Sequence, residues 1–461
     1  MDLNKNVTKK NIILITVDCL RADHLSCVGY NKNISPNIDA LAHNGLLYTN
    51  AISNGYNTLY SVPSFLTSNL PPFKEKLGPS IAEILKKNGY ITGTFNPNPV
   101  ILMNLPNDVK LGKLRLDKGF DTFDIMLTNK SRASLMMDSF VRVPIKILRK
   151  LFSKNEKTFN FIYSAYDKAL KKWPYIFSSE IKDYLPIAED LNREAIKWIK
   201  NNKEKNFFLW LHYMDVHEPY APPFYENKKE MLYLITKYRD FPSKLTEEEI
   251  KKLHSFYEDE IKYTDEFIGK LIEEIKKMGC YDNSIIILSA DHGDAFNEHG
   301  ALGHGTYFFD QLYDEILRVP LIIYGVGKGV VERQVELLDL APTICELLNI
   351  PVPINFDGDS LFSSKKKGVI SRSHNSISYR TLDYKLIVKI SEDAENELYD
   401  LRNDPGEKIN IYKDCRQIST ELESDMIAIL RKLKMKKEKI RIKKKIDELD
   451  KKERLFNKYI T

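Results

Sequence analysis

The sequence predicts an α/β fold: a large, mostly parallel sheet sandwiched by helices. Three observations carry this. First, continuous apolar, β-branched runs recur at Asn11–Asp18, Tyr90–Phe95, Phe207–Asp215, Ser284–Asp291 and Val319–Tyr324; runs without polar alternation suit strands buried on both faces. Second, helical patterns separate them, and strands alternating with helices imply a doubly wound architecture. Third, three of these strands run into acidic or imidazole residues, and in open α/β sheets functional groups gather beyond the carboxyl ends of strands.

The helices carry local signals. Ser80–Asn88 stops at Gly89, a C-cap residue. Ile187–Asn201 has apolar spacing near 3.6, and Thr246–Met278 opens on Thr-Glu-Glu-Glu, a capping sequence. From Thr128 to Pro186 the pattern changes to basic, aromatic, amphipathic segments such as Phe140–Phe152. These read as a helical insert capping the sheet edge, with peripheral contact to an anionic membrane or polyanion as the alternative. Short strands in GVISR, YKLIVKI and NELYDL predict a small antiparallel sheet. The remainder reads as one charged helix with apolar positions Leu433, Ile440, Ile446, Leu449 and Phe456, either solvated or self-associating into a homo-oligomer. The expected division is 1–368 for the catalytic α/β domain with its insert at 128–186, 369–415 for the small α+β subdomain, and 416–461 for a basic helical tail.

Composition narrows the class. The chain has 461 residues, 43% hydrophobic and 29% charged, which excludes a disordered or disulfide-stapled protein. No apolar run is long enough to span a bilayer. The five cysteines (19, 27, 280, 345, 415) form no CxxC pair, so neither a disulfide framework nor a cysteine zinc site is expected. The N-terminal apolar run ends on an acid and reads as a first strand, not a secretory signal; a cytoplasmic location is the expectation. Net charge is +5, but Arg431–Thr461 alone holds 14 Lys/Arg against 5 Asp/Glu. The basicity therefore belongs to the tail, and no specific nucleic-acid partner is implied.

Chemistry concentrates at the strand ends: Asp18 in VDCLRADHL, His212, Asp215 and His217 in WLHYMDVHEPY, Asp291 and His292 in SADHGDAFNEHGALGHG. Five of the nine histidines fall within 212–217 and 292–304. Carboxylates beside imidazoles are ligands for a divalent ion, hard or borderline, and such an ion would stabilise anionic charge and acidify a coordinated hydroxyl.

VDCLRADHLSCVGY…SPNIDALAHNGLLYTNAIS, PSFLTSNLPP, SADHGDAFNEHG…HG…RVPLIIYG, VELLDLAPTICELLNIP…DGDSLF and ELYDLRNDPGEKIN together resemble the sulfatase branch of the alkaline-phosphatase superfamily, in the family's order, over about residues 10–413. The resemblance implies an alkaline-phosphatase-like α/β domain, a small C-terminal sheet, and metal-dependent cleavage of sulfate or phosphate esters. Two alternatives stand beside hydrolysis: transfer of a phospho-headgroup to a lipid or glycan acceptor, and a catalytically silent binding protein.

The family's nucleophile is a Cys matured to formylglycine, or a Ser, in C/S-x-P-S/A-R. Here NGYNTLYSVPSFLTSNLPP departs from it. Counting back without gaps from Leu66-Thr67-Ser68 puts the nucleophile at Thr58. Matching the letters S-x-P-S instead puts it at Ser61, with three residues deleted. The gapless reading is preferred because a deletion at a helix start rotates its face, and related members use threonine in T-x-x-S. With no cysteine at either position, an ordinary threonine or serine ester is expected in place of formylglycine chemistry. The motif's arginine is Val62 or Phe65, and the lysine of G-K-W-H is absent from GYITGTFNPNPV, where Asn96 or Asn98 occupies the region. These departures move weight toward phosphate esters.

Carried over by position, the resemblance makes Asp18, Asp291 and His292 metal ligands, with Thr58 completing the sphere and Cys19 replacing a second acid. Histidine at 292, where calcium-type members have Asn, favours Mn2+ or Zn2+ over Ca2+ or Mg2+. A second ion held by Asp215, His217 and His304 is the lesser alternative. His217 in D-x-H-x-P-Y resembles the residue that protonates the leaving group, and His304 one that neutralises the anion. Arg21, expected one turn into a helix after Asp18 as its partner or the nucleophile's, joins Asn98, His212 and His299 as expected substrate-side residues.

Overall fold

The computed structural model describes residues 10–72, 77–98, 116–126, 156–172, 187–304, 311–391 and 394–460. In chain order the main strands are β1 (Asn11–Val17), β2 (Leu46–Ile52), β3 (Ile91–Phe95), β4 (Thr122–Asp124), β5 (Phe207–Tyr213), β6 (Ser284–Ala290), β7 (Arg318–Tyr324), β8 (Gly329–Val331) and β9 (Val335–Glu336). They form one sheet in the order β4-β3-β5-β1-β6-β7-β2-β8, with β9 also on β2. All pairings are parallel except those of β7, which runs against both β6 and β2. The predicted mostly parallel sheet is observed, and its central strands β1, β5 and β6 are buried at every residue. That is why their sequences lack alternation.

Register puts the strand ends level. Val17 of β1 pairs with Tyr213 of β5 on one side and Ala290 of β6 on the other. The next residues in each chain segment, Asp18, Met214 and Asp291, therefore leave the sheet at one edge. Helices cover both faces. The cap predicted at Thr246 is present as a reciprocal capping box with Glu249 at Glu247–Lys277, Gly89 is left-handed after Ile81–Lys87, and Ser80 with Glu83 adds a second capping box there.

A second sheet follows, with β10 (Val369–Arg372), β11 (Ser376–Arg380), β12 (Tyr384–Lys389) and β13 (Glu397–Asp400) paired antiparallel in sequence order. It is keyed to the loop after β2: Asn54 donates to Ile370 O (2.9 Å), Ser371 donates to Ser53 O (2.5 Å), and Arg372 bridges Gly55. The helix Arg416–Ile460 then begins by packing Leu422 and Met426 onto this sheet beside Leu386 and Leu398.

Within the predicted insert, the helix Glu156–Lys172 lies against Lys228–Asp240: Tyr166 donates to Asp240 (2.6 Å) and Tyr233 to Asp167 (2.8 Å). The Phe140–Phe152 segment lies outside the described residues, as do the side chains of Ile446, Leu449 and Phe456. Among the described residues no helix is long and apolar enough to cross a membrane.

Candidate active site

Asp18 anchors the site. It follows β1 directly, its backbone N–H donates to Tyr213 O (2.9 Å), and its side chain is fully buried. Oδ2 accepts from His212 Nε2 (3.0 Å) and Asn98 Nδ2 (3.0 Å) and faces Thr58 Oγ1 at 3.4 Å. Oδ1 faces Cys19 Sγ at 3.2 Å and His292 Nε2 at 3.6 Å. Burial would push this carboxyl up, but His217, His212 and His292 outweigh it and hold Asp18 well below the usual carboxylate range. The chain turns sharply here, with Cys19 left-handed at φ 64°, a conformation rare outside glycine that clusters at functional sites. Tyr257 fixes the turn by donating to Cys19 O (2.9 Å) and accepting from Arg21 N (3.0 Å).

Asp291 and His292 leave β6 beside it. His292 N donates to Asp291 Oδ1 (2.9 Å), while Asp291 Oδ2 is buried without a hydrogen-bond partner. The His292 ring places Nδ1 at 2.9 Å from Gly293 O. A carbonyl only accepts, so Nδ1 carries the proton and Nε2 presents its lone pair. Burial first, then His304, keeps this ring's pKa lowered against the pull of Asp291 and Asp18. Nε2 lies 3.3 Å from Thr58 Oγ1 and 3.4 Å from Asp291 Oδ2. Gly293 is required by close approach, because a Cβ there would sit 2.0 Å from Glu315 O.

Thr58 is the first residue of the helix Thr58–Thr67, whose N-cap Asn57 accepts from Tyr60 N. Its hydroxyl thus joins Asp18, Asp291 and His292 in one buried nest. Ser61, three residues on, is buried with its hydroxyl unpartnered. No contact joins Ser61 to the nest among the described residues.

The outer part of the site is imidazole-rich. His217 Nδ1 lies 2.5 Å from Glu218 O and so is the protonated nitrogen, which leaves Nε2 for other work. His304 stacks obliquely on His292 with ring centres 4.5 Å apart and lies 5.1 Å from His217. Its Nδ1 is 3.5 Å from Cys19 Sγ and 3.4 Å from Asp294 Oδ1. Burial works against a charged His304, but Asp294, then Glu218 and Asp18, raise it to about 9.

Among the described residues three groups of potential ligands emerge, each with ligand atoms within 4.8 Å of one another: Asp18–Asp291–His292, Cys19–His292–His304 and Asp18–Cys19–His217. The first fits a divalent ion. It offers two buried carboxylates, an orphaned oxygen and an imidazole lone pair, the donor set of a borderline cation.

Four expectations are corrected. Arg21 is not on a helix and does not pair with Asp18; it precedes a short 3₁₀ turn, and its guanidinium is consumed by Asp23 (2.7 Å), Glu298 and Asp294 O (3.1 Å). His212 is no substrate contact; it is wholly buried behind Asp18, between that carboxylate and Thr16 (2.8 Å). His299 lies away from the nest, stacked on Tyr313 at 3.6 Å and bonded to Glu315 (2.6 Å) and Glu407 O (3.0 Å). Asp215 accepts from Ala188 N (3.1 Å) at the start of a helix and belongs to none of the ligand groups. Asn98 reaches the site, but onto Asp18.

Cys19 as a site residue and Asp294 were missed. Asp294 is fully buried, accepts from Tyr220 and faces His304. Its signal was available in D-H-G-D, two residues past His292, whereas the Cys19 thiol reads from sequence only as a lost acid.

A buried carboxylate–imidazole nest at the edge of a mostly parallel sheet, facing a hydroxyl at a helix start, defines the class. The sulfatase family model matches residues 10–350, and the model for the C-terminal part of N-sulphoglucosamine sulphohydrolase matches 303–436. The chain belongs to the sulfatase family. It is 29% identical to arylsulfatase K of Bos taurus over 212 residues, spanning 41% of this chain and 38% of that protein. It is also 24% identical to an arylsulfatase of Clostridium perfringens over 93% of this chain and 94% of the relative. In fold it is similar to the phosphonate monoester hydrolase of Agrobacterium radiobacter (TM-score 0.65, 19% identity, covering 92% of this chain and 96% of that one).

Proposed function

We propose that the protein is a metal-dependent hydrolase of sulfate esters that uses Thr58 as its nucleophile. The observation that carries this is the position of Thr58 Oγ1, 3.3 Å from His292 Nε2 and 3.4 Å from Asp18 Oδ2. A divalent ion held by Asp18, Asp291, His292 and Thr58 would neutralise ester oxygens and acidify the threonine hydroxyl; imidazole in the set favours Mn2+ or Zn2+ over Ca2+.

Asp18 accepts the hydrogen of Thr58, and the threonine oxygen attacks sulfur in line with the departing alcohol. Positive charge on His304 offsets that of the equatorial oxygens. The Nδ2 of Asn96, buried without a partner, supplies a further donor beside Asn98. His217, with Nδ1 held by Glu218 O and a second proton taken up on Nε2, donates that Nε2 proton to the alcohol as the S–O bond breaks. The resulting threonine ester has no second hydroxyl to expel the group, so water must attack it, giving one proton to His217 while Asp18 returns to the departing Thr58 oxygen the proton it took. Phosphate and phosphonate esters are the second reading, favoured because an ordinary threonine ester must be opened by water, and the resemblance links that route to phosphoryl groups.

The test is turnover of matched aryl sulfate, phosphate and phosphodiester substrates by metal-stripped protein re-supplied with Mn2+, Zn2+, Ca2+ or Mg2+. Metal-dependent hydrolysis should fall about 10³-fold or more in Thr58→Ala and stay within about threefold in Ser61→Ala. The reverse pattern would sink the Thr58 assignment, and a preference for phosphate would replace the sulfate reading.

A further inference from the structure

The helix Arg416–Ile460 carries two apolar stripes, and the fold uses one of them. Leu422 and Met426 are buried against the small sheet, with Ile418, Ile429, Leu430 and Leu433 packed partly beside them. Ile427, Met435 and Ile442 are exposed, the last two at 57% and 58%. At about 100° per residue, Met435 and Ile442 stand about 60–80° round the axis from Ile427, whereas Leu422, Met426 and Leu433 stand about 220–260° round it. The second stripe therefore lies on the opposite side of the helix from the docked one.

Charge divides the helix as well. The acids of its first turns are taken up: Glu421 and Asp425 pair with Lys367 (3.0 and 2.8 Å), and Glu423 accepts from Tyr412 (2.8 Å). Residues 431–445 then hold ten Lys/Arg and one acid, Glu438. Lys436 and Lys437 turn back to Phe356 O and Asp357. Arg431, Lys432, Lys434, Lys439 and Arg441 are exposed and form no ion pair among the described residues.

We infer that this outer face, over residues 427–442, docks on the surface of an anionic lipid bilayer. An apolar stripe set among lysines and arginines suits the boundary between acyl chains and headgroups. Met435 and Ile442 enter the apolar layer there, while the cations meet phosphate and carboxylate headgroups. The contact is peripheral, since among the described residues no helix is long and apolar enough to cross a membrane. A second copy of the chain fits this face poorly. Two such helices would bring their basic runs within a screening length of about 8–10 Å. The positions beside Met435 that a coiled coil needs apolar, Glu438 and Lys439, are also charged. A dissolved polyanion would pair with the cations but leave Met435 and Ile442 in water. This contact stands apart from the chemistry assigned to Thr58 and does not depend on it.

The test is co-sedimentation of the full chain with vesicles of phosphatidylcholine alone, or with about one-third phosphatidylserine. Binding to the anionic vesicles should be about tenfold tighter or more, and it should weaken as salt rises. Met435→Ser combined with Ile442→Ser keeps every charge and should weaken binding by about tenfold. Lys432→Glu combined with Lys439→Glu should weaken it at least as much. The thermal midpoint should be unchanged in both variants, because all four side chains are exposed. Equal binding to the two kinds of vesicle, or binding to neither, would overturn the inference. So would full binding by the serine pair together with displacement by heparin, which would make the partner a dissolved polyanion. A concentration-dependent dimer that the serine pair dissociates would overturn it in favour of a second copy.

Discussion

At the residue scale, the sequence and the structure part company over histidines. Letters alone place five imidazoles in two short windows, and three of them, His217, His292 and His304, do surround the nest. His212 touches it only from behind, through Asp18 Oδ2, and His299 not at all, because imidazole function depends on which partner each nitrogen finds, and those partners come from other segments. For His299 they are Glu315 and the carbonyl of Glu407, the latter 108 residues away. Burial would lower its pKa, but the bond to Glu315, that group's charge and Glu407 raise it above the ordinary 6.5. A raised imidazole contributes stability that is fully present below its unfolded pKa and is lost as pH rises through the folded one. His299→Ala should therefore destabilise the protein by about 1.5–3 kcal/mol near pH 6, and by clearly less near pH 9. Thermal unfolding at both pH values checks this, and an equal loss at each would contradict the assignment. Metal binding should be unchanged, since no ligand touches His299.

Elements were legible where their signals are local. The cap at Thr246, the glycine stop at Gly89 and the five apolar runs each sit where the sequence puts them. β2 and β11 were missed. LLYTNAI is broken by Thr49 and Asn50 where the register with β7 shifts, and SISYR is too polar to stand out. The helix expected after Asp18 failed for a tertiary reason, a left-handed Cys19 held by Tyr257 from a helix more than 200 residues away. The helix Thr58–Thr67 shows how tightly an element can fix chemistry. A Cβ on Gly55 would lie 2.4 Å from Tyr60 Cβ and 2.7 Å from Ser61 N, so any larger residue must push the first helical turn. Thr58 is in that turn. Misplacing a nucleophile by about 1 Å lowers rate about 10²-fold, so Gly55→Ala should reduce kcat by about that factor. Metal affinity should fall much less than kcat, because three of the four proposed ligands, Asp18, Asp291 and His292, directly follow strands that the methyl does not touch. Unchanged kcat with a folded protein would mean that the turn absorbs the methyl. Asn57→Ala tests the same element through its cap and should lower stability by about 1 kcal/mol.

At the scale of the whole molecule, the small sheet is what holds the loop before Thr58, and the long C-terminal helix is what completes the small sheet. β10 grips residues 53–55 through Asn54, Ser371 and Arg372. Behind it, Leu386, Leu398 and Tyr379 share a core with Leu422 and Met426, and Ile418, Ile429, Leu430 and Leu433 pack partly against them. The sequence marked this stretch as charged and detached, since its basic residues dominate the composition while its apolar positions are sparse. The contacts divide it instead. Up to Leu433 the helix faces a core, and Lys436 and Lys437 tie it to Phe356 O and to Asp357 (2.9 Å for the latter). Beyond that, Arg441 and Ile442 are exposed. Ending the chain after Arg441 should therefore leave the thermal midpoint within about 2 °C of the full chain. Ending it after Cys415 removes two buried side chains worth about 2–5 kcal/mol each, at about 2–4 °C per kcal/mol. That truncation should lower the midpoint by about 10 °C or more, and turnover should fall with it as β10 loosens its hold on the loop before Thr58. If the Cys415 truncation melted with the full chain, the helix would be an appendage and the sheet would close its core alone.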